Sequence, residues 1–123
     1  MASLSSDFSI ALACAHGIFY IVTGLWPLIH MRSFLAVTGP KVDLWLVKTV
    51  GALIAIIGAS VLAAGVMGSV PAHTAGLAIG AAASLAVVDV RYVSIGRISR
   101  VYLLDAIAEA LLVVAWVAAL LAA

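Results

Sequence analysis

Tyr102, Asp105, Glu109 and Trp116 recur at steps of three, four and seven near the end of the chain. A helix places all four on one face. The surrounding run, 101–122, is otherwise apolar. Carboxyl groups in such a run are costly and face a bundle interior or a water-filled space. Two ionised carboxylates one turn apart repel, so Asp105 and Glu109 call for a proton or a cation between them. At about 1.5 Å per residue, Glu109 falls roughly 12 Å beyond Val101. That depth is near the centre of a membrane span. Glu109 is therefore the first candidate for exchanging a proton or binding a cationic group.

Lys48 is the natural counter-charge. It lies about one and a half turns inside its own apolar run, at nearly the depth expected of Asp105. It either pairs with Asp105 or extends its ammonium to the interface. His16, Tyr20 and Thr23, spaced by four and three, make a second polar stripe. If the two stripes face each other, they enclose a pocket walled by His16, Tyr20, Lys48, Asp105, Glu109 and Trp116. Asp89 and Arg91 fall at the end of another apolar run and are expected to anchor a membrane edge.

Other chemistries are missing. His16, His30 and His73 sit on different levels or sides, so no metal spacing arises. No phosphate-cradling loop occurs, and no cofactor is expected. Cys14 is the single cysteine, which excludes an intramolecular disulfide and fits a small packing residue. A net charge of +1 argues against nucleic acid as a partner.

The elements that position these groups follow from composition. Of 123 residues, 67% are hydrophobic and 9% charged, against about 25% charged in soluble domains. The chain reads as an all-α integral membrane protein, a single domain of four spans near 8–29, 44–67, 72–92 and 101–122 joined by short loops. Thr38-Gly39-Pro40 and Gly68-Ser69-Val70-Pro71 break the runs, Asp43 and Ser99 are placed to cap, and Pro27 ends or kinks the first span. Gly76, Gly80 and Ser84 form a small-residue stripe suited to an interface, and Gly51, Gly58 and Gly65 repeat every seven residues. An offset of 57 relates Gly39 to Gly96, Trp45 to Tyr102, Lys48 to Asp105 and His16 to His73, which raises the possibility of a duplicated hairpin.

Arg32 and Lys41 lie in the first connection; Arg91, Arg97 and Arg100 lie in or beside the third. Basic loops stay cytoplasmic, so both termini are expected on the non-cytoplasmic side. The Ala- and Val-rich composition suggests a bacterial inner membrane.

In length, span count and the His16-Gly17…Thr23-Gly24 run of its first span, the chain resembles the small four-helix bacterial membrane proteins grouped as DoxX-like. The resemblance covers the architecture of the whole chain, implies a four-helix membrane bundle and carries over no functional residue. Small multidrug exporters share the size but have an early membrane glutamate, whereas the one glutamate here is Glu109.

Three functions fit these residues. The pocket binds or transports a small molecule, a lipid-like ligand or protons, in a homo-oligomer. Alternatively, the chain is an accessory subunit of a larger membrane complex, with the charges as internal glue. Third, Glu109 or His16 acts as general acid or base in a membrane enzyme, for which no nucleophile motif speaks.

Overall fold

A computed structural model describes residues 3–123. Among them it is all-α apart from one two-residue ladder. The helices are α1 (Asp7–Ile29), α2 (Met31–Thr38), α3 (Leu44–Val66), α4 (Ala72–Ser94) and α5 (Tyr102–Ala122). All but α2 are long and apolar enough to cross a membrane. Strand β1 (Ser3–Leu4) pairs antiparallel with β2 (Val70–Pro71).

Local chemistry sets the helix ends. Ser6 Oγ accepts the Ser9 N–H at 3.1 Å, and Asp7 in the first turn complements the helix dipole. The α4 terminus closes at Gly96, whose φ of 76° lets Gly96 N–H reach Val93 O (3.0 Å) and Arg97 N–H reach Tyr92 O (2.8 Å). This paired pattern satisfies carbonyls that the helix leaves open. Asp43 occupies the N-cap position of α3 but makes no side-chain capping bond. Ser99 bonds the Val101 N–H at 3.2 Å, ahead of the α5 start.

The first connection departs from the expected plain loop. Residues Met31–Thr38 form α2 because His30 Nδ1 accepts the Ser33 N–H at 3.2 Å and Gly39, at φ 97°, stops the helix. Trp26 Nε1–H donates to Ser33 Oγ at 2.8 Å, and the Trp26 and Phe34 rings meet edge-on at 5.4 Å. These contacts fold α2 back onto the end of the bundle.

The bundle consists of two tight pairs, α1 on α3 and α4 on α5, which touch each other far less. Glycines make the first pair tight. A Cβ on Gly24 would sit 2.5 Å from Gly51 O, and one on Gly58 would sit 2.7 Å from Gly17 O. Gly65 backs onto Cys14 in the same seam. Only glycine permits backbones this close.

Leu4, Leu12, Val61, Val70, Ala75 and Trp116 belong to one apolar cluster near the β ladder. This cluster plugs that end of the molecule. The other end carries the basic connections and is loosely filled. The single offset of 57 does not describe the fold. Helices α3 and α5 start 58 residues apart, but α1 and α4 start 65 apart, so His16 lies mid-helix while His73 lies at a helix start.

Candidate functional site

The stripes of α1 and α5 meet. The two helices run antiparallel, so the earlier residue of one stripe faces the later residue of the other. His16 and Trp116 form the inner pair: Trp116 Nε1–H donates to His16 Nδ1 at 3.0 Å. Tyr20 and Glu109 form the next: the Tyr20 hydroxyl donates to Glu109 Oε1 at 2.6 Å. Accepting at Nδ1 puts the imidazole proton on Nε2, which is buried without a partner. The His16 and Tyr20 rings lie edge-on with centroids 4.3 Å apart. His16, Tyr20, Glu109 and Trp116 are all at most 1% exposed. Buried polar groups survive in such surroundings only by pairing, and all four residues find a partner across the helix–helix seam.

Asp89 completes the cluster from a third helix. It closes an inward row on α4 formed by Ala75, Ala78 and Ala82 at steps of three, four and seven. The smallness of those alanines draws α4 against α5 and leaves Asp89 only 4% exposed. Asp105 lines the same cavity as Asp89 and Glu109. Asp89 Oδ2 is buried with no hydrogen-bond partner.

Tyr20, Asp89, Asp105 and Glu109 line one side of a cavity of about 540 Å³. Its remaining walls are mainly apolar, with the largest share from α3 (Leu46, Val47, Val50 and Ile54) and the rest from α1, α2, α4 and the third connection. It extends to the first and third connections, where Phe34, Thr38, Lys41 and Ile98 line it, and Leu46, Val50 and Val88 on its walls are exposed. The volume is that of a small-molecule site. Lys41 is tied to the rim. Its Nζ donates to Thr38 Oγ1 (2.9 Å) and Gly39 O (3.1 Å) and lies 5.2 Å and 5.0 Å from the Phe34 and Tyr102 ring centroids.

The structure redistributes the expected pocket residues. Tyr20, Asp105 and Glu109 line the cavity, whereas His16 and Trp116 lie behind it. Lys48 is exposed and does not line it, so the Lys48–Asp105 pairing is corrected. Lys48 follows the row of Gly51, Ala55 and Gly58, which faces α1 rather than α5, and α1 ends before it can cover that position. Asp89, expected at a membrane edge, is instead inside. Its signal in the sequence was the alanine row that it terminates. Lys41 at the rim does not stand out in the sequence, because its partners, Thr38, Gly39 and the Phe34 and Tyr102 rings, come together only in the folded turn.

Gly76, Gly80 and Ser84 are exposed on α4. A Cβ on either glycine would meet nothing within 4 Å. With Ile54 and Ile57 they line a shallower groove of about 490 Å³ that shares Tyr20, Ile54 and Leu85 with the main cavity. Among the described residues no group of His, Cys, Asp or Glu could hold a metal ion.

The chain matches no family model, no curated protein and no solved structure.

Proposed function

We propose that the protein is a multi-pass membrane protein that binds a small amphipathic molecule in the cavity between its two helix pairs. The four long helices cross the bilayer, taken to be a bacterial inner membrane, with the basic connections in the cytoplasm and both termini outside. The ligand then enters from the cytoplasmic side. Glu109 and Asp105, with Tyr20 as donor, handle its polar end or exchange protons with it. One observation carries this reading: an open, mostly apolar cavity ends on a buried carboxyl cluster. The apolar cluster around Trp116 closes the opposite end. Transport across the membrane therefore needs that cluster to part, or a second copy to complete a path.

Calorimetric titration with 3-phenylpropan-1-ol, in neutral detergent, tests the cavity. Saturable binding to one site per chain is expected, and Ile54→Trp, which fills the cavity, should abolish it. Heats no different from those of the detergent alone would sink the proposal.

A second reading, a subunit of a larger membrane assembly, also has an observation behind it. The Gly76–Gly80–Ser84 stripe is uncovered, and small-residue stripes let another helix approach closely. It predicts that Gly80→Leu removes a membrane partner or a second copy without unfolding the chain.

A further inference from the structure

We infer that the cavity takes an organic cation, its ammonium-type head seated among Asp89, Asp105 and Glu109 and its apolar body along the walls toward Leu46 and Val50. This rests on the cavity being a binding site and names the class of its ligand.

Charge is the first argument. The chain has five acidic side chains, and four of them, Asp43, Asp89, Asp105 and Glu109, line this cavity. Arg32, Lys48, Arg91, Arg97 and Arg100 are all exposed, and none lines it. Lys41 does, but its Nζ is held at the rim by Thr38, Gly39 and two aromatic rings. Among the described residues, then, no cation of the chain answers the inner carboxyls. Repulsion between neighbouring carboxylates is relieved by a proton or by a cation placed between them, and an incoming ammonium supplies the latter.

The second argument is independent of charge count. Asp89 Oδ2 is buried and accepts no hydrogen bond. An unused acceptor in a low-dielectric interior is costly, and buried groups of this kind call for a partner. The partner must be a donor: the Tyr20 hydroxyl is spent on Glu109, which leaves a protonated neighbouring carboxyl or an incoming N–H. An ammonium N–H meets both demands with a charge-assisted bond. The carboxyls do not form a metal-binding group. The cavity is also far larger than a bare ion needs, and its outer walls are apolar. A cation with a hydrocarbon or aromatic body fills both parts.

The test compares one skeleton with different heads: 3-phenylpropylammonium, 3-phenylpropan-1-ol and 3-phenylpropanoate, titrated into the full chain in neutral detergent. The ammonium is expected to bind at least roughly tenfold more tightly than the alcohol, and the carboxylate not at all. In Asp89→Asn the ammonium's advantage should vanish while alcohol binding stays unchanged, which also shows that the variant is folded. Glu109→Gln should reduce the advantage in the same sense. Equal binding of ammonium and alcohol, or an advantage that survives Asp89→Asn, overturns the cation assignment and leaves the binding cavity standing. Failure of all three probes to bind overturns both.

Discussion

The Tyr20 hydroxyl sits 2.6 Å from Glu109 Oε1, joining residues 89 positions apart in the chain. It is one of the few polar links between the two helix pairs, and both side chains are at most 1% exposed. Tyr20→Phe removes only the hydroxyl and leaves a buried carboxyl short of its donor. Stability should fall by about 1–3 kcal/mol, read as a lowered midpoint in detergent unfolding. Glu109→Gln retains an acceptor for the same hydroxyl and should cost less than Tyr20→Phe. An equal or larger loss in Glu109→Gln would contradict the assigned donor and acceptor.

His16 and Trp116 form the second link, at 3.0 Å. A double-mutant cycle with His16→Phe and Trp116→Phe should return a coupling of about 1 kcal/mol, the usual net worth of such a bond. Additive effects would mean that the two rings merely pack.

Glycines on the two faces should behave oppositely. Gly58→Leu drives a side chain into the Gly17 carbonyl and the Tyr20 Cβ, both 2.7 Å from its Cβ position. It should cost about 1–3 kcal/mol or prevent folding. Gly80→Leu meets open space and should leave the monomer's unfolding midpoint unchanged. Comparable losses at both positions would refute the packing of α1 on α3.

Lys41→Met tests the rim. It keeps the length of the side chain and removes two cation–π contacts and the bonds to Thr38 and Gly39. A loss of about 1 kcal/mol is expected, together with faster proteolysis in the first connection. Unaltered proteolysis would show that Lys41 does not hold the connection to α5.

The sequence made the long helices legible because each apolar run is bounded by a local break, such as Gly68 with φ 79° or Gly96 with φ 76°. It also showed which residues share a helical face, since that depends on spacing alone. Tyr20 and Glu109 were both identifiable for this reason. What periodicity does not carry is which helix faces which. Lys48 was misplaced on that account: its face turned to α1, not α5. The burial of Asp89 is not legible because its nearest charged neighbour, Arg91, points to a membrane edge, whereas burial follows from alanines 7 to 14 positions earlier on α4. Helix α2 is not legible because about two turns of amphipathic chain between His30 and Gly39 are too short for their period to stand out.

The most direct measurement is native mass spectrometry of the full chain released from mild detergent, wild type beside Ile54→Trp, with bound small molecules identified by fragmentation. The account predicts a discrete ligand mass on the wild-type chain that the cavity-filling variant lacks, at unchanged oligomeric state. Identical adducts on both proteins, or a bare wild-type chain under conditions that preserve lipid contacts, would contradict it.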